Sequence, residues 1–212
     1  NEPFPGSLIV HGQGIMIGKA AELLKEKMGD EAPSADEIIG MWLDPEGRSQ
    51  LMEYMNDMEF YRQLVDASGA VYEEFDKTQL TPMYQRVTDA IREVDPNHII
   101  FLEALYASNM GVYSHIMPLM GPGGKRDPQQ AYAPHGYDIV VDTPDLAKAN
   151  NARVELIFER HYETTQRLQM PMLVGEWGAF GGWGKEILPV AWGVVNIFEE
   201  LKCSDTYWEY GK

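Results

Sequence analysis

The sequence predicts an α/β fold built on parallel strands, and three observations carry that expectation. The second half of the chain alternates short apolar runs with longer segments of helical apolar spacing, the order that strands joined by crossover helices produce. Two of these runs, His98-Ile99-Ile100-Phe101-Leu102-Glu103 and Met172-Leu173-Val174-Gly175-Glu176, are continuous rather than alternating, as expected of strands buried on both faces. Both runs, like the opening Asn1-Glu2, also end on a glutamate, which puts Glu2, Glu103 and Glu176 at the C-terminal strand edge where parallel α/β barrels build their sites.

The elements follow in order. Asn1-Glu2-Pro3-Phe4-Pro5-Gly6 holds two prolines and a glycine, so it reads as the end of a strand and the loop after it. Over residues 14–28 the apolar positions Ile17, Ala20, Ala21 and Leu24 fall at helical spacing, with Gly29 as the stop. Residues 34–42 read as a short helix, and residues 51–65, with Leu51, Met55, Met58 and Tyr61 on neighbouring turns, as another. A helix over 84–94 ends at Asp95-Pro96-Asn97, and the strand at 98–103 follows.

The segment from about Tyr106 to Gln130 is too long for an ordinary connection, and it carries Met110, Tyr113, Ile116, Met117, Leu119 and Met120 before the breakers Gly121-Pro122-Gly123-Gly124. A loop of that length and apolar content is expected to serve a site. Residues 130–137 then read as a strand, 144–168 as a long helix, 172–176 as a strand, 187–201 as a helix and 205–210 as a last short strand.

Composition narrows the function classes. A formal charge of −16, with Lys125-Arg126 as the only adjacent basic pair, repels polyphosphate and makes nucleic acid an unsuitable partner. No apolar run reaches the roughly 18 residues of a membrane helix. The single cysteine, Cys203, reads as a small buried hydrophobe near a helix end. His11, His98, His115 and His161 have no metal-ligand spacing, so no metal or organic cofactor is expected.

Paired carboxylates across a glycosidic bond suffice for hydrolysis with retention when about 5–5.5 Å apart: one attacks the anomeric carbon and the other protonates the leaving oxygen. The chain resembles retaining enzymes of this kind. Asn1-Glu2-Pro3 is similar to the fourth-strand motif of family 5 glycoside hydrolases, and Gly175-Glu176-Trp177-Gly178 to their seventh-strand nucleophile motif. His135-Gly136-Tyr137, after Ala131-Tyr132-Ala133-Pro134, resembles the sixth-strand segment, and Trp208 the eighth-strand platform tryptophan.

The resemblance implies a (β/α)8 barrel, here the part from the end of strand four to strand eight, forming one partial catalytic domain over residues 1–212. It implies Glu2 as acid/base and Glu176 as nucleophile, with Asn1 at the sugar 2-hydroxyl. Tyr137 would orient Glu176 and His135 would contact the reacting sugar or the acid/base, while Trp208, Trp177 and Glu103 complete the substrate-binding set. Within the family, Asn1-Glu2-Pro3-Phe4-Pro5-Gly6 together with the segment ending in Tyr137-Asp138 most resembles the endoglycoceramidase-like branch, which implies a glycolipid substrate received by the apolar loop. A β-1,4-glucan endohydrolase and a non-catalytic carbohydrate-binding half-barrel are the rival readings. Strands one to three precede the fourth-strand motif in the family, so a second chain or preceding residues are expected to complete the barrel.

Overall fold

The computed structural model describes residues 5–141 and 143–209, which fall into two compact units, Asn1–Val71 and Tyr72–Lys212.

Among its described residues the first unit consists of helices and short connections, with no strand. Helix α1 spans Pro5–Met28, α2 Ala35–Leu43, α3 Pro45–Met55 and α4 Met58–Ala67. Helix α1 starts nine residues earlier than residue 14, because a proline in the first turn forfeits only an N–H that has no intrahelical partner. The expected loop therefore ends at Pro5, and Asn1 to Phe4 lie outside the described residues. The helix expected over 51–65 is instead two. Asp57 accepts hydrogen bonds from the amides of Glu59 and Phe60 and so begins α4 afresh. Ser34 and Glu37 form a reciprocal capping box on α2, and Asp44 caps α3. Leu24, Met52, Tyr61 and Val65 are among the buried residues of this unit.

The second unit carries all the described strands. Helix α5, Gly69–Phe75, leads into a wide turn at Asp76–Leu80 and then α6, Thr81–Val94. Strand β1 is Ile100–Leu102, β2 Gln130–Tyr132, β3 Leu173–Gly178 and β4 Ser204–Trp208; α7, Asn151–Leu168, lies between β2 and β3, and α8, Leu188–Leu201, between β3 and β4. Strand β1 pairs parallel with β2, and β3 with β4. Parallel bridges Tyr132 to Met172 and His135 to Glu176 join the pairs into the order β1, β2, β3, β4. Four consecutive parallel strands, with crossover helices after β2 and β3, make up part of a (β/α)8 barrel.

Two expected elements are shortened for local reasons. Strand β2 stops at Tyr132 because Pro134 has no N–H to give to a ladder. Helix α7 starts at Asn151, not 144, since the Asn150 side chain accepts from the Ala152 amide. In β1, Leu102 is 1% exposed but Phe101 is 50% exposed, so this strand is not covered on both faces; among the described residues it has a neighbour on one side only. The same holds for β4, whose residues are exposed along its length.

Two apolar clusters hold the helices to the sheet. Leu102, Ile116, Leu119, Tyr132, Leu168, Met170 and Met172 form one, so Ile116 and Leu119 of the expected site loop are core. Val154, Phe158, Val174, Trp177, Val194, Ile197 and Phe198 form the other. Cys203 is packed against both, and burial pushes its thiol up to about 11, the inert state expected of it. Among the described residues no helix is long and apolar enough to cross a membrane, and no three His, Cys, Asp or Glu side chains gather to hold a metal ion.

Candidate active site

The C-terminal ends of β1, β2 and β3 bring Glu103, His135, Tyr137 and Glu176 together. Strand β3 carries a bulge between Val174 and Trp177, where its pairing with β4 slips. In a regular strand Val174 and Glu176 would share a face. The bulge breaks that alternation, so Val174 and Trp177 both enter the outer cluster while Glu176 meets the residues that follow β2. Those residues continue the pairing without a regular ladder: the Gly175 amide donates to the Pro134 carbonyl (2.8 Å) and the Gly136 amide to the Glu176 carbonyl (3.2 Å).

Glu176 Oε2 accepts a hydrogen bond from the Tyr137 hydroxyl at 3.0 Å and lies 3.4 Å from His135 Nδ1. His135 Nε2 is 3.4 Å from Glu103 Oε1, which places the imidazole between two carboxylates. The Glu176 side chain is one-third exposed, open enough for a ligand to reach it. A Cβ at Gly175 would stand 2.9 Å from His135 Nε2, so the glycine of the Gly-Glu-Trp-Gly motif is what lets the ring lie against β3.

Behind these groups stands a buried frame. His161, fully buried between Tyr132 and the His135 backbone, has its proton affinity lowered to about 4 by burial and is neutral. The His135 carbonyl can only accept, so His161 Nε2 donates to it (2.9 Å) and Nδ1 accepts from the Tyr132 hydroxyl (2.9 Å). Arg153 grips Asp138 through two contacts of 2.8 and 3.0 Å, with both side chains almost wholly buried, immediately after Tyr137. The Asp138–Arg153 pair and the Tyr84 hydroxyl on the Glu103 carbonyl (3.2 Å) have no counterpart in the sequence reading. Asp138 gave one signal, an acid adjoining Tyr137, but nothing nearby marked its partner 15 residues on.

The remaining predicted residues divide. Trp208, at the end of β4, is 50% exposed, and the peptide after it is cis. Trp177 is 7% exposed, ringed by Phe180, Phe198 and Tyr207, and its indole N–H donates to Asp205. With its faces covered it is a core residue, and this corrects its place in the substrate-binding set. Asn1 and Glu2 lie outside the described residues. A concavity of about 360 Å³ in the first unit, between Ala21 and Glu37, contains none of these groups.

Parallel strands in barrel order, with glutamates gathered at their C-terminal edge, define the class as a (β/α)8 barrel with an acidic site. The chain belongs to glycosyl hydrolase family 5: the family model described as Cellulase (glycosyl hydrolase family 5) matches residues 50–212. No curated protein matches the chain. Among solved structures, it is similar to endo-glycoceramidase II from Rhodococcus sp. in its ganglioside GM3 complex, with 20% identity and a TM-score of 0.57 over 72% of this chain and 40% of that one. The cellobiose-like imidazole complex of the same protein matches at 21% identity and a TM-score of 0.52, over 72% and 40% of the two chains. Its lactosyl-enzyme intermediate matches at 20% identity and a TM-score of 0.51, over 80% and 45%. The chain thus spans less than half the length of these structures, and at such identity the likeness speaks for the fold.

Proposed function

We propose that this chain carries the nucleophile of a retaining β-glycosidase, Glu176, with Glu2 as its acid/base and without metal or organic cofactor. The observation that supports the reading most is the setting of Glu176: a part-open carboxylate on a strand bulge, held by a tyrosine hydroxyl and faced by an imidazole. A donor on one oxygen fixes the orientation of the carboxylate that attacks.

In the first step Glu176 attacks the anomeric carbon as the bond to the leaving oxygen breaks, and Glu2 gives that oxygen its proton. In the second, Glu2 takes a proton from water, the water oxygen bonds to the anomeric carbon, and the bond to Glu176 breaks. Asn1 and His135 contact the sugar, Tyr137 orients the nucleophile, and Trp208 stacks on a ring. Residues 1–212 act as one catalytic domain in which the helices of the first unit follow the fourth-strand motif in sequence.

The substrate in this reading is a β-glucoside of a glycolipid. The likeness to an endo-glycoceramidase and the exposed Met117 and Met120 on the long loop, 45% and 42% accessible, favour it. The description of the family model favours a β-glucan instead. A 2-deoxy-2-fluoro-β-glucoside with an activated leaving group tests the chemistry in the intact protein. The expected result is a stoichiometric adduct on the peptide containing Glu176, and Glu2→Gln activity on activated aryl glycosides that azide restores. An adduct elsewhere, or turnover with no adduct, would sink the assignment. Hydrolysis of a glycosylceramide against a soluble cello-oligosaccharide then decides the substrate, and no turnover of any aryl glycoside would leave a binding protein.

A further inference from the structure

We infer that Glu103 is a positioning residue that acts on the nucleophile through His135, rather than a sugar contact; the inference rests on the reading of Glu176 as nucleophile. Three strand ends meet in one line, with Glu103 Oε1 3.4 Å from His135 Nε2, and His135 Nδ1 3.4 Å from Glu176 Oε2.

The backbone of His135 is fixed on its own account, by its bridge to Glu176 and by the N–H of His161 on its carbonyl. The ring is fixed in plane by Gly175, which leaves room for nothing larger beneath Nε2 and Cδ2. Neither restraint chooses between the two ring flips. The outer torsion of a histidine is broad and two-fold, and exchanging the flips replaces each nitrogen with a carbon at nearly the same place. Only one flip turns a nitrogen toward each carboxylate at once. Glu103 thus supplies what the backbone lacks, a reason for the imidazole to keep Nδ1 on Glu176.

Glu103 is itself held from behind. The Leu102 carbonyl before it accepts from the Ala133 amide (2.8 Å), and its own carbonyl accepts from Tyr84, whose hydroxyl is pushed up to about 12, first by burial and then by Glu103. Its carboxylate is 61% exposed. A pair this open contributes little to stability, so the consequence of losing it falls on the geometry of the reacting groups.

The test compares Glu103→Ala and Glu103→Gln with the wild type in the intact protein, using an activated aryl β-glucoside and the 2-fluoro trap. Misplacement of a reacting group costs on the order of 10- to 100-fold, so Glu103→Ala should lower kcat and the trapping rate at Glu176 by that factor, with KM within about two-fold. Glu103→Gln, which keeps a polar group of the same length beside Nε2, should recover most of the loss. A raised KM with unchanged kcat would make Glu103 a sugar contact and overturn the inference, as would unchanged kinetics or equal losses in both variants. Should the wild type fail to trap at Glu176, the nucleophile assignment falls with it. Should it trap normally, and Glu103→Ala trap equally fast, only the role of Glu103 is lost.

Discussion

At the scale of single residues, two buried titratable groups give the second unit opposing responses to pH. Asp76 is 1% exposed, accepts from the His115 amide and the Ser114 hydroxyl through one oxygen, and has no hydrogen-bond partner on the other among the described residues. Burial, only partly offset by those donors, pushes its carboxyl up to about 6. An acid whose folded value lies above its unfolded one binds its proton more tightly when folded, so stability falls as pH rises from about 4 to about 6. His161, lowered to about 4, does the reverse: its neutral buried form is favoured above the unfolded value, and its contribution is lost as pH falls from about 6.5 to 4. Asp76→Asn keeps an acceptor for the same two donors without the charge. It should raise the urea midpoint at pH 7.5 by the equivalent of about 1–3 kcal/mol, a gain that vanishes near pH 3.5 where Asp76 is already neutral. A loss at pH 7.5, or an equal gain at both, would show that the charge is not what Asp76 costs the fold.

At the scale of elements, two glycines decide how closely strand and helix may approach around the site. A Cβ on Gly136 would lie 2.4 Å from Phe158 Cζ, and Phe158 cannot retreat because it is fully buried edge-on against Phe198. Gly136→Ala should therefore cost about 1–3 kcal/mol, and Phe158→Leu in the same chain should return part of it, a coupling that a double-mutant cycle reads directly. Gly175→Ala strikes the imidazole instead of the core, and should lower kcat with little change in the unfolding midpoint; a loss of stability alone would mean that His135 is not held there for chemistry. The same elements show what the sequence made legible. β1 and β3 were visible as apolar runs, Glu103 as the glutamate that ends the first of them, and Glu176, His135 and Tyr137 as motif residues, because each sits in contiguous chain with a recognisable local pattern. Trp177 was misplaced because it was read as a sugar platform from its place beside the motif glutamate, whereas neighbouring strand residues point to opposite faces and Trp177 packs with Val174 in the outer cluster. Arg153 and Tyr84 were missed because their partners are brought to them only by packing, 15 and 19 residues away in the chain.

At the scale of the whole molecule, the charge of −16 bears on which glycosides the proposed site can recruit. The site adds Glu103 and Glu176 to that field and has one imidazole close to both, so its surroundings favour neutral or cationic ligands. For a neutral β-glucoside no long-range force acts on approach, and kcat/KM should stay within about two-fold between low salt and physiological ionic strength, where the screening length is about 8 Å. A sialylated glycoside of the same core carries its own negative charge into that field. Its kcat/KM should be the lower of the two at low salt and should rise several-fold as salt screens the repulsion, while kcat at saturation stays level, because the effect lies in encounter and not in chemistry. The measurement is kcat/KM for the paired substrates across a salt series in the intact protein. A sialylated substrate whose kcat/KM falls with added salt would mean that a positive surface receives the substrate, and that the acidic excess of this chain lies away from the path to Glu176.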